Sequence, residues 1–298
     1  MIKDSKVGWY SVEKGLTAEA LQSYTKYPDL KKIPHIPTSL MNLQVLIEDD
    51  NSDSSKIARA LRETPVLAAE VLRVSNLYTQ DPSMKITSLE HAAGYLGSNT
   101  LGKLLVVAFV GLLDPTAKNF DRKRFWAESY LIGTITEMLG SKISSEYPRD
   151  ILYIAGALAN IGKLVLATFV PEEYDRLYEA YSKAPIGSLW VNVEKELGAP
   201  AHTLVGEIAG VVWGLDKPIL ESIQNHHHSP KLSEITAVHE IVAAANQMSH
   251  WVNLNPDMMD EDLLYKHTKK LALSNQDLEE FIAMIVPLSK ELEEKLAS

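Results

Sequence analysis

The feature that most constrains the fold is a ten-residue segment, 101–110, that is apolar on nearly every side. It reads LGKLLVVAFV, and a helix that lacks a polar face is stable only when other elements surround it. A helix that spans a bilayer needs about 20 apolar residues, so this segment is too short for one. The sequence therefore predicts a buried central helix inside a larger helical protein.

Helix start and stop signals recur along the chain, and no segment shows the clean alternation typical of a strand. The Thr-Pro pair at 64–65 places proline at the first position of a helix, where its missing N–H is tolerated. The segment TSLE at 87–90 has the pattern of a capping box and opens a helix that ends near Gly97. Further helices are predicted at about 120–144, 149–169, 172–183, 187–197, 201–213, 217–226, 233–252, 260–272 and 275–297. The predicted fold class is all-α.

Two breaks divide the chain. Pro34 and Pro37 force an extended segment before a helix that starts near Thr38. A second break falls at 114–119. We therefore expect an N-terminal appendage at 1–30, a domain at 31–252 with helical lobes at about 31–114 and 120–252, and a C-terminal helical extension at 253–298.

Composition excludes several classes of function. The chain has 39 acidic and 29 basic residues, and the net charge of -10 disfavours nucleic acid, whose phosphates require clustered basic side chains. The absence of cysteine excludes disulfides and thiolate metal ligands, and fits a reducing compartment. Because neither a long apolar run nor a signal peptide is found, we expect a cytoplasmic protein without a membrane partner.

The segment LANIGK at 158–163 carries a second constraint, together with His202 and three consecutive histidines at 226–228. In a metal-binding helix that ends in HDIGK, the histidine and the aspartate bind the metal. Here those two positions hold Ala159 and Asn160. An alanine cannot coordinate an ion, and a neutral amide is a poor replacement for a carboxylate. The sequence thus indicates a scaffold that has lost its metal chemistry.

Several segments occur in a characteristic order over about 30–250. They are IPHIP at 33–37, IARALRETPVLAAEVLRVSN at 57–76, TSLEHAAGYLG at 87–97, FWAES at 125–129, GALANIGK at 156–163 and QNHH at 224–227. This series closely resembles the HDOD family, the HD-related output domains that are relatives of bacterial HD-type phosphohydrolases. The resemblance implies a multi-helix HD-like bundle in a bacterial signalling module usually regarded as non-catalytic. Because few residues precede Pro34, we expect a stand-alone member.

The resemblance also assigns the metal-ligand positions of the parent phosphohydrolases. The first histidine falls on Glu128, the next histidine is retained as His202, and the last aspartate falls on Asn246. The expected degenerate pocket comprises Glu128, Ala159, Asn160, Lys163, His202, His226, His227 and Asn246. No catalytic residue and no cofactor is expected, although Glu128, His202, His226 and His227 remain candidate ligands of a residual divalent-metal site. Asn160 and Asn246 are either relics or neutral hydrogen-bonding replacements that hold the pocket together, and the second interpretation is favoured.

The histidine triplet has a simpler interpretation as well. Neighbouring residues of a helix point about 100° apart, so at most two of the three histidines converge on one ion. The favoured hypothesis is a partly exposed helix end, where cationic imidazoles interact favourably with the C-terminal dipole.

The sequence leaves three hypotheses about what this protein does. The first is a non-enzymatic signalling module that binds a signalling protein or a small ligand and shifts one lobe against the other. The alternative is a divergent metal-dependent phosphohydrolase, resembling a phosphodiesterase, that uses Glu128 with the histidines. The third hypothesis is a helical scaffold whose pocket is only part of the hydrophobic core and binds nothing. The apolar content is compatible with a homodimer.

Overall fold

The structure is a computed structural model, and every regular element in the part of the chain that it describes is a helix. It describes residues 12–48, 53–62, 65–79, 84–143, 145–185, 189–227, 238–252, 269, 271 and 273–297. The helices are α1 (Val12–Gly15), α2 (Ala18–Lys26), a 3-10 helix (Pro28–Lys32), α3 (Thr38–Glu48), α4 (Ser54–Arg62), α5 (Pro65–Tyr78), α6 (Leu89–Gly111), α7 (Arg122–Lys142), α8 (Arg149–Leu158), α9 (Ile161–Phe169), α10 (Pro171–Lys183), α11 (Trp190–Leu197), α12 (His202–Val212), α13 (Lys217–Asn225), α14 (Val238–Val252) and α15 (Asn275–Ala297). No strand occurs within these ranges, which confirms the all-α prediction.

The local signals of the first lobe act where they were expected. Helix α5 begins at Pro65. Helix α6 begins after Ser88, whose hydroxyl accepts from the backbone N–H of His91 at 3.0 Å, one residue later than the capping-box pattern indicated. Gly97 has a φ of 75°, a left-handed value that glycine tolerates, and it kinks the helix. The two predicted helices, one ending near Gly97 and one at 101–110, are therefore the two limbs of α6.

The second limb of α6 is the buried centre of the first lobe. Its apolar residues Leu101, Leu104, Leu105 and Val107 are fully buried. They are surrounded because α6 packs against α3, α4, α5 and α8. The prediction of a buried central helix is confirmed.

The predicted continuous helix over 149–169 is wrong. The chain forms two helices there, α8 and α9, with a bend of 40° at Ala159 and Asn160. Helix α9 restarts with a hydrogen bond of 2.9 Å from the N–H of Lys163 to the carbonyl of Asn160. The bend gives the second lobe a buried helix start at the position of the LANIGK segment.

Within the described residues, no single helix combines the length and the apolar character needed to cross a membrane. Helices α8 and α9 pass that test only when they are counted together across their bend, by length and composition.

Helix packing in the second lobe brings several helix ends together. Helix α12 packs against α9 and α13, and α14 packs against α7, α8 and α13. The first residues of α9 and α12 and the last residues of α13 therefore lie close to one another. Their side chains form the pocket described below.

Several contacts join the predicted lobes, including the following three. The Nη2 of Arg73 donates to the hydroxyl of Tyr130 at 2.9 Å. The ring of Phe109 meets the ring of Trp213 edge to face, with centroids 6.3 Å apart, and the Nε1 of Trp213 donates to the carbonyl of Pro34 at 3.0 Å. The extended IPHIP segment is thus tied to the end of α12.

The terminal segments contact the region between them. Helix α2 packs against α12, and α15 packs against α7 and α14. An ion pair of 2.8 Å between Lys142 and Asp277 joins α7 to α15. Helix α15 matches the predicted closing helix, whereas the helix predicted at 260–272 lies almost wholly outside the described residues. The domain boundaries stay predictions.

Candidate functional site

Three histidines from two helix ends converge in the second lobe. His202 is the first residue of α12, His226 is the C-cap residue directly after α13, and His227 follows it. The Nε2 of His202 lies 3.2 Å from the Nε2 of His226 and 3.1 Å from the Nε2 of His227. Each histidine offers one ring nitrogen to a group whose atoms all lie within 4.8 Å of one another. We call these three residues the histidine cluster; His228 lies outside the described residues.

Glu194 of α11 holds the ring of His202, and the sequence reading missed it. Its Oε1 lies 2.8 Å from the Nδ1 of His202 and accepts from the backbone N–H of His202 at 2.9 Å. The same oxygen accepts from the Nε1 of Trp190 at 2.8 Å. A signal was present, because Trp190, Val193, Glu194 and Leu197 share one helix face. A carboxylate on an apolar face indicates a buried polar role.

The hydrogen bonds assign the proton in two of the three imidazole rings. The Nδ1 of His202 faces the Glu194 carboxylate, and the Nδ1 of His226 lies 3.0 Å from the carbonyl of Ile223 and 3.2 Å from that of Ser222. Carboxylate and carbonyl oxygens only accept, so both Nδ1 atoms donate. In the neutral rings this leaves a lone pair on each Nε2, and the two lone pairs face each other across 3.2 Å.

Burial favours the neutral form of His226 and His227. It lowers the pKa of His226 and of His227 well below the usual range, and the neighbouring imidazoles and the Lys163 ammonium act in the same direction. His226 is also only 1% exposed. The sequence-based hypothesis described a partly exposed helix end with cationic imidazoles. It is wrong for His226, which is buried and has a lowered pKa. For His227 it is wrong about the charge, because the pKa of this residue is lowered as well.

Glu128 of α7 lies near the cluster but pairs with another residue. Its Oε1 is 3.5 Å from the Nδ1 of His250. Burial alone would raise the pKa of Glu128, but positive charge from His250, Lys163 and Arg124 outweighs it and lowers the pKa below its ordinary value. Among the described residues, the converging group comprises the three histidines without Glu128. The four candidate ligands expected from the sequence are thus reduced to three.

Two asparagines occupy the expected carboxylate positions. The Nδ2 of Asn160 donates to the Oδ1 of Asn246 at 2.9 Å, and both side chains are buried. Such a bond agrees with the interpretation of these residues as neutral hydrogen-bonding replacements, and their role in holding the pocket together stays a prediction. Ala159 is fully buried and offers no ligand atom. Lys163 lies in the first turn of α9, with its Nζ 5.7 Å from the centroid of the Trp190 ring.

The donor set decides which chemistry the pocket supports. It presents imidazole nitrogens, amides and one ammonium group. The buried carboxylate of Glu194 orients a histidine instead of lining the cluster, and the nearby carboxylate of Glu128 pairs with His250. Hydrolysis that uses two metal ions requires ligands that bridge or bind both ions. Amides at positions 160 and 246 are weak ligands for that purpose. Positions 160 and 246 therefore lack the strong ligands that a two-metal site needs.

Comparison with known proteins places this geometry in a family. A family model described as the HDOD domain matches residues 33–229. A curated protein of Treponema pallidum (strain Nichols) is 23% identical over 203 residues, which is 68% of this chain and 39% of that protein. The chain thus spans about two fifths of the length of the curated relative it matches.

Solved structures share the fold. A proposed phosphohydrolase from Shewanella amazonensis SB2B is 21% identical and has a TM-score of 0.70. The alignment covers 95% of this chain and 99% of that structure. An HDOD domain protein of unknown function from Geobacter sulfurreducens is 19% identical with a TM-score of 0.66, over 92% and 99% of the two chains. A proposed signal transduction protein from Marinobacter aquaeolei VT8 is 15% identical with a TM-score of 0.67, over 97% of this chain and 68% of its own. At these identities the likeness shows the fold alone.

Proposed function

This chain belongs to the HDOD domain family, and from that membership we propose that it is a non-catalytic regulatory module of bacterial signal transduction. It works by binding a signalling protein or a small ligand, with the histidine cluster and its surroundings as the ligand pocket. The structural relative from Marinobacter aquaeolei, which is named as a signal transduction protein, agrees with this role.

The observation that carries the proposal is the hydrogen bond between Asn160 and Asn246. By resemblance to the parent phosphohydrolases, both positions would hold the aspartates that bind metal. The amides bond to each other across the pocket, as expected of a polar core that is retained after the charges are lost. Ala159 removes a further ligand. A scaffold kept in this form after its reaction is lost supports a role in binding.

The proposed mechanism is conformational and uses α12 as a rigid connection. His202 lies at the first residue of this helix, and Trp213 caps its other end. Trp213 contacts Phe109 of the first lobe and the carbonyl of Pro34. A ligand that moves the start of α12 therefore also moves the contact between the lobes. Such a two-state element, biased by binding at one end, is what a binding signal requires.

One observation favours a second candidate, a metal-dependent phosphohydrolase. One ring nitrogen from each of the three histidines converges as metal ligands do. Against it, Glu128 pairs with His250 instead of joining the cluster. The two candidates therefore differ in whether the pocket supports turnover.

Turnover of a generic phosphodiester, bis(4-nitrophenyl) phosphate, tests the proposal directly. Tag-free protein is assayed with Mn²⁺, Fe²⁺, Ni²⁺ or Zn²⁺, beside His226→Ala and, as a control outside the pocket, His91→Ala. We expect no hydrolysis above the buffer rate in any of the three proteins. Hydrolysis that is lost in His226→Ala and kept in His91→Ala would overturn the regulatory proposal in favour of the phosphohydrolase.

A further inference from the structure

The histidine cluster also points to the identity of a ligand. We propose that His202, His226 and His227 together bind one divalent transition-metal ion through their Nε2 atoms, and that this ion is a regulatory ligand of the module. The inference rests on the proposed function, because it takes the pocket as a binding site and names what the pocket binds. The ion is held by neutral imidazoles alone, without a carboxylate ligand.

The spacing of the nitrogens fits a single ion. Zinc–nitrogen bonds are about 2.0–2.1 Å long, so two nitrogens on one tetrahedral ion lie about 3.3 Å apart. The Nε2 of His202 lies 3.2 Å from that of His226 and 3.1 Å from that of His227. The remaining pair of nitrogens lies within 4.8 Å. One ion can therefore reach all three with small movements of the rings.

The protonation pattern gives an independent reason for a cation. The Nδ1 atoms of His202 and His226 both donate to fixed oxygens, so their Nε2 lone pairs point at each other. Two facing lone pairs repel, whereas a cation in front of them converts both into ligand bonds. A proton on His202 would relieve the same repulsion, so the test must separate a metal ion from a proton.

The surroundings of the cluster match those of a metal-binding histidine. Such a histidine almost always donates its second ring nitrogen to a carboxylate or a backbone carbonyl, which fixes the ring and raises its basicity. Glu194 serves His202 in this way, and the carbonyls of Ser222 and Ile223 serve His226. Glu194 is 1% exposed, so its carboxylate also offsets the charge of a buried cation. We therefore assign Glu194 as a positioning residue.

The donor type defines the class of metal. Imidazole nitrogens suit zinc, nickel, cobalt, copper and iron, while calcium and magnesium require oxygen ligands. Three protein ligands leave a coordination position for water or for a donor atom of another ligand. The cluster is therefore expected to discriminate strongly against Mg²⁺ and Ca²⁺.

Direct titration of the metal-free protein tests the site. Tag-free protein is stripped with a chelator and titrated with Zn²⁺ and Co²⁺ by calorimetry, and the visible bands of bound Co²⁺ report its coordination. We expect one ion per chain, with no heat from Mg²⁺. Saturable binding should disappear in His202→Ala and His227→Ala and persist in His91→Ala. For Glu194→Gln, which keeps the size of the side chain, we expect affinity about 10–100-fold weaker.

X-ray absorption of the wild-type zinc complex keeps the test decisive if an alanine variant fails to fold. Three imidazole scatterers support the site, and fewer than three overturn it. No saturable binding, or binding unchanged in both histidine variants, overturns it as well. Failure of metal binding would leave the regulatory function standing, whereas metal-dependent turnover would overturn that function and leave the metal site intact.

Discussion

The side chains of Asn160 and Asn246 are joined by a hydrogen bond of 2.9 Å from Nδ2 to Oδ1 in the interior of the second lobe. The bond links the start of α9 to the middle of α14. Among the described residues, the Oδ1 of Asn160 and the Nδ2 of Asn246 have no hydrogen-bond partner. The pair is therefore a partly satisfied polar contact inside an apolar core, and its contribution can be measured.

A double-mutant cycle on this pair should reveal coupling. Asn160→Ala or Asn246→Ala alone leaves the partner amide buried and unpaired, so each should lower the free energy of unfolding by about 1–3 kcal/mol. The double variant should lose less than the sum, with a coupling of about 1 kcal/mol. Urea unfolding of the four proteins measures this. Strictly additive losses would show that the hydrogen bond contributes nothing.

Gly162 should tolerate no side chain. A Cβ at this position would lie 1.8 Å from the carbonyl oxygen of His202, where α9 crosses α12. Gly162→Ala must therefore push the two helices apart, and we expect a loss of about 1–3 kcal/mol or more. The matched control is Gly94→Ala, where the nearest atom is the Ser54 Oγ at 3.8 Å. Because Gly94 is exposed within a helix, alanine there should stabilise by about 0.5–1 kcal/mol. Thermal unfolding of both variants measures these changes, and a Gly162→Ala variant as stable as the wild type would contradict the close contact between α9 and α12.

Local signals explain why most of the helices could be predicted. The cap at Ser88 and the proline at Pro65 act within one turn of the chain, so the sequence contains the whole cause. The exchange of carboxylates for amides at 160 and 246 can likewise be read from the residue types, once the resemblance supplies their positions. The helix starts are thus determined by neighbouring residues, and the loss of the carboxylates is visible by comparison with the family motif.

The bend between α8 and α9 and the role of Glu194 arise from distant parts of the chain. Residues 149–169 contain no proline, and their apolar content supports a continuous helix. In the structure the helix breaks at Asn160, whose amide meets Asn246 of another helix. Glu194 is also a buried carboxylate only because α11 packs next to the start of α12. Such pairings depend on tertiary packing, which periodicity does not contain.

The N-terminal segment should be anchored by a single threonine. The Thr17 hydroxyl donates to the Oε2 of buried Glu207 at 2.9 Å and accepts from the N–H of Ala20, so it both docks and caps α2. Thr17→Ala should destabilise α2 by about 1–2 kcal/mol and speed hydrogen exchange over Ala18–Lys26. Thr17→Ser keeps the hydroxyl and should exchange like the wild type. Equal exchange in the two variants would contradict this anchoring role.

The stability of the protein should fall at alkaline pH because several of its tyrosines are buried or partly buried. Burial, with the negative charge of Glu137, raises the pKa of Tyr78 from 10.0 to about 12. Burial also raises the pKa of Tyr130 and Tyr153. Between pH 10 and about 12 the folded chain keeps phenol protons that the unfolded chain releases, so the free energy of unfolding decreases as pH rises. Urea unfolding at neutral and alkaline pH measures the decrease.

The variant Tyr78→Phe keeps the ring that packs edge to face on Tyr153, with centroids 4.8 Å apart, but has no phenol proton to release. It should therefore show a smaller decrease in the free energy of unfolding. The same decrease in both proteins would exclude Tyr78 as a source of the alkaline instability.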